Sequence, residues 1–170
     1  SSAPDGRGGW YIGGSFTAVG GLARARLAHI LADGRVANWN PGPDSEVRAI
    51  AVHGRTVYVG GTFNTIAGRP QRYLAALNAV TGAVKAWNPR PDLHVTALAV
   101  RGRTVYAGGD FRAIGGQPRT RIAALDAITG AATAWDPGAN DLVWDLIVSD
   151  TTVYAAGEFT AIGGRQRRGV

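Results

Sequence analysis

Cysteine is absent from the 170 residues, which excludes disulfides and thiolate metal sites. That absence does not choose a compartment. Methionine is absent too, even at position 1, so a processed or cut N-terminus is expected. No apolar run approaches the roughly 18 residues that a membrane-spanning helix needs, so no transmembrane segment is expected. No stretch combines sustained helical periodicity with caps. Lysine occurs once, and 17 of the 18 basic residues are arginine. The formal net charge of +6 is compatible with nucleic acid, an anionic glycan or an anionic surface. It is equally compatible with a surface whose arginines pair locally, and no specific nucleic-acid partner is expected.

What is present is a repeat. Thr104 to Pro137 reads TVYAGGDFRAIGGQPRTRIAALDAITGAATAWDP, and Thr56 to Pro89 reads TVYVGGTFNTIAGRPQRYLAALNAVTGAVKAWNP. Trp10 to Pro41 gives WYIGGSFTAVGGLARARLAHILADGRVANWNP, and Thr152 to Gly164 restarts the pattern as TVYAAGEFTAIGG. Phe16, Phe63, Phe111 and Phe159 are spaced 47, 48 and 48, and Trp39, Trp87 and Trp135 are spaced 48 and 48. A fixed period outranks other signals in fold reading.

Within each unit the patterning predicts four short strands. The first is Val47 to Val52, Val95 to Val100 and Val143 to Val148, apolar runs that suit a strand buried on both faces. The second is Trp10 to Phe16, Val57 to Phe63, Val105 to Phe111 and Val153 to Phe159. Glycines inside it mark a bulge or a close backbone approach. A connection containing Gly and Arg leads to the third strand: Leu27 to Leu31, Leu74 to Asn78 and Ile122 to Asp126. Asp33-Gly34, Thr81-Gly82 and Thr129-Gly130 supply hairpin chemistry. The fourth strand is Val36 to Trp39, Val84 to Trp87 and Ala132 to Trp135. A proline two residues later suits an outer edge. Ser1 to Gly9 has too little apolar content to order itself and reads as a flexible lead-in with an Asp-Gly turn.

Four antiparallel strands in a unit of about 48 residues are the signature of a β-propeller blade. The expected fold is therefore all-β, with residues 1–9 a lead-in and 10–170 propeller repeats. Residues 10–46 form a partial blade, 47–94 and 95–142 whole ones, and 143–170 another partial one. A closed ring takes roughly 4 to 8 blades, so just over three make an incomplete ring. Two completions are expected. A longer chain supplies the remainder, or copies associate, with Val143 to Gly164 completing another copy's Trp10 to Pro41 blade by strand addition.

The motifs V-Y-x-G-G-x-F, x-I-G-G-x-x-R, L-A-A-L-D-x-x-T-G and W-x-P resemble bacterial β-propeller repeats of the delta-60-like type, whose function is unknown. A-L-D-A-x-T-G-x-x-x-x-W is also similar to pyrroloquinoline-quinone-type propeller repeats. The resemblance covers nearly everything after Gly9. It implies blades and an extracellular or cell-surface location, and no shared chemistry. No cofactor is expected, because nothing here matches a quinone site.

Arginines crowd the connection between second and third strands: Arg24 and Arg26, Arg69 and Arg72, Arg119 and Arg121, then Arg165, Arg167 and Arg168. Guanidinium forks on one rim would suit phosphate, sulfate or carboxylate. They would equally brace each unit through loop carbonyls or an acidic neighbour such as Asp126. Asp44, Asp92 and Asp141 fall on the same rim and would blunt its charge. They lack any recognised calcium spacing, so no metal is expected. His29, His53 and His94 do not recur in register, and no triad surrounds them. Asp110 and Glu158 share one repeat position, but paired acid catalysis is not expected of them. Trp144 and Asp145 break the repeat, where other copies have Arg48, Thr96, Ala49 and Ala97, and are candidates for a central channel. These readings favour a non-catalytic binding or structural scaffold, part of a larger surface or secreted protein or assembly. Its partner would be an acidic glycan or a protein. The alternative is a fragment of a propeller hydrolase or quinone-type dehydrogenase whose catalytic residues lie outside this chain.

Overall fold

The computed structural model describes residues 1–167, and among them it is all-β with no helix. The first unit holds β1 (Ser2–Pro4), β2 (Trp10–Gly13), β3 (Ala18–Val19), β4 (Leu22–Ala23) and β5 (Leu27–Ile30). The second holds β6 (Val47–His53), β7 (Thr56–Gly61), β8 (Thr65–Ile66), β9 (Arg69–Pro70) and β10 (Leu74–Asn78). The third holds β11 (Val95–Arg101), β12 (Thr104–Gly109), β13 (Ala113–Ile114), β14 (Gln117–Pro118) and β15 (Ile122–Asp126). The last holds β16 (Val143–Ser149), β17 (Thr152–Gly157), β18 (Ala161–Ile162) and β19 (Arg165–Gln166). Three antiparallel sheets repeat one order, β1-β2-β5, β6-β7-β10 and β11-β12-β15, with the second strand central. β16 and β17 form a two-stranded sheet, and the long connections fold into the small hairpins β3-β4, β8-β9, β13-β14 and β18-β19.

Consecutive sheets pack face to face, and strand alternation serves both neighbours. On β7, Val57 and Val59 point into the core shared with the first unit, while Tyr58 points into the core shared with the third. On β15, Ala123 and Leu125 face the second unit and Ile122 faces the last. Because both faces are covered, these strands read as continuous apolar runs. Phe63 and Phe111 are fully buried, each contributing about 1.5–3 kcal/mol. Glycine in the central strand permits close approach. A Cβ on Gly108 would sit 2.7 Å from a Val143 methyl and 3.3 Å from the Ala97 Cβ.

Two expectations need correction. Ser1–Gly9 is not a loose lead-in, because Ser2, Ala3 and Pro4 pair with Ile12, Tyr11 and Trp10. Composition hid this, since the order comes from specific polar contacts. Asp5 Oδ1 accepts the Arg7 and Gly9 amides at 2.7 and 2.9 Å, and Oδ2 lies 2.9 Å from His29 Nε2 on β5. The fourth strand shrinks to one bridge per unit, Val36 to Ile30, Val84 to Leu77 and Ala132 to Leu125. Beyond the bridge, Trp39 and Trp87 are drawn into the cores shared with the next unit. The first strands also carry a register shift, between Val47 and Ala49, Val95 and Ala97, and Val143 and Asp145. It leaves Arg48, Thr96 and Trp144 out of the ladder.

Two outcomes are expected. Gly108→Val should lower unfolding free energy by about 1–3 kcal/mol in urea. Ala156→Val, at the equivalent position on the uncovered last unit, should change it by less than about 0.5 kcal/mol. Equal effects would contradict the close-approach role. The second outcome concerns Asp5, whose carboxyl is held below its ordinary value. The His29 hydrogen bond is the main cause; burial opposes it and the two amides reinforce it. A depressed pKa means the tether is fully present above the unfolded value of about 3.9 and is lost as pH falls through the folded value. Hydrogen-exchange protection of the Gly13 amide, which donates to Ser1 O, should therefore fall on acidification before that of β7. Asp5→Ala should lose it at neutral pH.

Candidate functional site

The rim arginines sort into braces and free side chains. Arg24, Gln71, Arg119 and Arg167 occupy one repeat position, since their amides donate to Thr17, Asn64, Arg112 and Thr160 carbonyls in turn. Arg24 Nη2 donates to Ala37 O and Nη1 to Ala23 O, both at 2.8 Å. Arg119 donates at 2.7 Å to Thr133 O and Pro118 O, and its Nη1 lies 3.4 Å from Asp136 Oδ2. In the second unit Gln71 Nε2 reaches Leu74 O and Trp87 O at 3.1 and 3.2 Å. Two like arginine contacts and a different glutamine contact thus join the hairpin connection to the end of its own unit. Arg167 is exposed. Arg168 itself lies outside them too.

Arg26, Tyr73 and Arg121 share a second position and a left-handed backbone, with φ of 63°, 63° and 62°. Such a non-glycine conformation costs about 1–3 kcal/mol and persists only where its surroundings enforce it. Here each amide is held by a phenylalanine carbonyl: Phe16, Phe63 and Phe111. Arg26 Nη1 donates to Pro43 O at 3.2 Å and Arg121 Nη1 to Asn140 O at 2.9 Å. Arg121 Nε lies 3.5 Å from Asp110 and 4.0 Å from Asp141. Tyr73 meets His94 edge-on at 5.2 Å. Arg69 and Arg72 are exposed.

The acidic residues are occupied as well. Asp44 Oδ1 accepts the Asn64 and Thr65 amides at 2.8 and 3.0 Å, and Asp92 Oδ1 those of Arg112 and Ala113 at 2.8 and 3.1 Å. Burial pushes the Asp44 carboxyl up, but the Thr65 and Asn64 amides outweigh it and hold it low. In the last unit this cap is Asn140, accepting Thr160 and Ala161 amides at 2.9 Å. Asp141 is therefore not the counterpart of Asp44 and Asp92; the 48-residue period itself points to Asn140. Among the described residues no three His, Cys, Asp or Glu side chains are grouped to hold a metal.

Trp144, 48% exposed, lines an open depression of about 410 Å³ with Ser1, Glu46, Arg48 and Thr96. Its Nε1 donates to Glu158 Oε1 at 3.3 Å, and Arg48 Nε donates to Glu46 Oε2 at 2.8 Å. A ring face beside carboxylates and a guanidinium suits stacking and hydrogen bonding to a polar ligand. Asp145 does not share that depression. It sits with Ile147 and Tyr154 on the other face of β16-β17, its Oδ1 accepting the Leu146 amide at 2.8 Å. His29 is a packing residue, stacked on Tyr11 at 4.2 Å.

Sequence reasoning missed a clamp between units. Tyr11 and Trp39 meet edge-on at 5.0 Å, and their OH and Nε1 each donate to the next unit, at 3.0 Å to Ala79 O and Asn78 O. Tyr58 and Trp87 repeat this, donating to Ala127 O and Asp126 O at 3.5 and 2.9 Å. Burial pushes the Tyr11 and Tyr58 hydroxyls up, so both stay protonated donors. The tyrosines recur with the same period as the tryptophans, and that was the available signal.

No family model matches the chain, and no curated protein matches it. Among solved structures it is similar to a computationally designed protein, Ika4, with a TM-score of 0.59 and 21% identity, covering 78% of this chain and 73% of that one. It also aligns with the computationally designed Ika8 protein at a TM-score of 0.41 and 17% identity, over 80% of this chain and 54% of that one. The first likeness concerns the all-β fold alone, and the second carries no argument.

Arg119→Ala should lower urea stability by about 1–3 kcal/mol, through loss of its carbonyl bonds and of the packing of its stem, with retention on a heparin column unchanged. Arg72→Ala should leave stability unchanged. Loss of retention with intact stability in Arg119→Ala would overturn the brace.

Proposed function

We propose that the chain is an arc of β-propeller blades acting as a non-catalytic binding or structural scaffold, completed by further blades. The observation that carries this is the pair of open faces at its two ends. Trp10 on the first unit is 49% exposed, whereas Val57, its counterpart on β7, is fully buried. On the last unit Ile147 and Tyr154 are 60% and 59% exposed, whereas Tyr58 at the Tyr154 position is 3% exposed. Contiguous apolar faces of this kind mark association surfaces. The sheets between them show what such faces do when covered. Arg24, Arg26, Arg119 and Arg121 and the carboxylates of Asp44 and Asp92 are spent on bracing, and His29 on packing, which favours scaffold over catalyst.

The completing blades come from more of the same polypeptide or from further copies. A copy would not add β16-β17 beside β2, because β1 already pairs there. It would cover a whole face instead. Exposed Arg69 and Arg72, with the net charge of +6, favour an acidic glycan or acidic protein as partner. The delta-60-like resemblance favours a secreted or surface-displayed parent.

Light scattering across a dilution series, with a hydrophobic dye added, tests this. Either a dilution-resistant oligomer or a dye-binding monomer is expected. A monomer that binds no dye would overturn the reading.

A further inference from the structure

The second unit breaks the repeat in charge. Arg69, Lys85 and Arg90 stand where the first unit has Leu22, Ala37 and Gly42, and where the third has Gln117, Thr133 and Gly138. Positions that serve the stacking recur from unit to unit, so a departure shared by three side chains along one surface points to a site. The third unit also carries Asp136, paired with Arg119, where the second has Asn88. Among the described residues Arg69, Lys85 and Arg90 pair with no carboxylate, and Lys85 Nζ donates only to the Thr56 hydroxyl.

Arg90 is the sharpest departure. Its φ is 50°, beside 46° at Gly42 and 53° at Gly138. Glycine enters this left-handed region freely and arginine does not. The Arg90 side chain is exposed, and no contact within the described residues compensates its strained backbone. Such an outlier is a pointer to function.

The three cations border two open depressions that share Asn88. The first, of about 520 Å³, lies between the second and third units and runs past Arg90 over Pro89, Ile114, Pro118 and Gly130. Pro89, Ile114 and Gly130 are buried, so its floor is apolar. The Gly115 amide closes that floor by donating to Pro89 O at 2.6 Å. The second, of about 420 Å³, lies on the outer edge of the second unit between Arg69, Gln71 and Lys85. Gln71 lines it where the neighbouring units carry the longer Arg24 and Arg119. Among the described residues no Asp or Glu lines either depression. The whole trough belongs to the two central units, away from both ends of the arc.

We propose that this trough binds an extended acidic peptide segment. Its carboxylates would meet Arg90 at one end and Arg69 with Lys85 at the other, with an apolar side chain over the floor of Pro89 and Ile114. The proposal rests on the binding half of the scaffold reading and locates its acidic partner. Guanidinium forks take carboxylates in bidentate geometry. The apolar floor decides between the two acidic partners, since a peptide brings an apolar side chain to cover it and a sulfated glycan does not.

The test uses the whole chain and a fluorescein-labelled peptide, Asp-Glu-Leu-Glu-Asp, read by anisotropy. One peptide should bind per chain, more weakly as salt is raised. Arg90→Gly should weaken binding about ten-fold, the effect of one charge-assisted hydrogen bond. Its urea midpoint should hold or rise, because glycine suits the left-handed backbone. Arg7→Ala removes the same charge from the β1–β2 turn and should change affinity less than about two-fold. Serine in place of the peptide's leucine should cost about five-fold. Lost stability in Arg90→Gly would make Arg90 a fold residue and overturn the site. An equal loss of affinity in Arg7→Ala would mean diffuse attraction and do the same. So would a serine peptide that binds as well as the leucine one and is displaced by a heparin oligosaccharide, which would assign the trough to a sulfated glycan. If no peptide binds while the chain still oligomerises or binds the hydrophobic dye, the trough falls and the scaffold reading stands. If the peptide binds through Arg90 to a monomer that takes up no dye, the trough stands and the completion of the arc falls.

Discussion

Each sheet has two apolar faces, and each face is stable only while another sheet covers it. The consequence runs through the molecule. Val143 approaches the backbone at Gly108 because no side chain stands there. Leu125 is fully buried between its own sheet and the one before it. Stability in such a stack is a sum of unit and interface contributions, and here the interfaces hold most of the large buried side chains. A unit removed from its neighbours would expose both faces at once.

Polar chemistry is subordinate to that stacking. The connections beyond the second strands are irregular, so their carbonyls need partners where they are covered. The chain answers with long side chains of different kinds, Arg24, Gln71 and Arg119, each donating to carbonyls of its own unit. That exchange of arginine for glutamine is the clearest sign that the position requires a donor and not a charge. The strained backbone at Arg26, Tyr73 and Arg121 belongs to the same device. It turns the chain from the small hairpin into the third strand, with a phenylalanine carbonyl fixing the turn. At these positions the guanidinium groups of Arg24, Arg26, Arg119 and Arg121 donate to carbonyls of their own unit.

Much of this was legible in the residues. The period, the first three strands and the all-β class follow from spacing and alternation alone. β1 was not legible, because Ser2–Pro4 has no strand composition and is held by the Asp5 cap and His29. The fourth strand was over-read. Val84 and Ala132 look like strand starts, but tryptophan packing bends the chain after one bridge. The misaligned acidic residue had a local cause, since Asp141 follows Asn140 directly; the 48-residue period from Asp44 and Asp92 points to Asn140, and the hydrogen bonds bear that out. The recurring tyrosines and tryptophans flagged the clamps between units, but a period says which residues are equivalent and not which unit each one touches.

Where the repeat is broken, two different physical situations are involved. Arg48, Thr96 and Trp144 stand at the register shift, outside the ladder; Arg48 and Trp144 are exposed, whereas Thr96 is buried and donates through Oγ1 to Val143 O of the next unit at 2.6 Å. In the last unit the position holds a half-exposed tryptophan that donates to Glu158. Asp145 is another matter. Its counterparts Ala49 and Ala97 are buried against the next unit, and a buried carboxylate must be paired or hydrogen-bonded. A sheet that covers this face cannot repeat the Val143 contact made to Ala97. Asp145 itself is exposed and accepts the Leu146 amide at 2.8 Å, so the last unit's face differs in chemistry from those of Ala49 and Ala97.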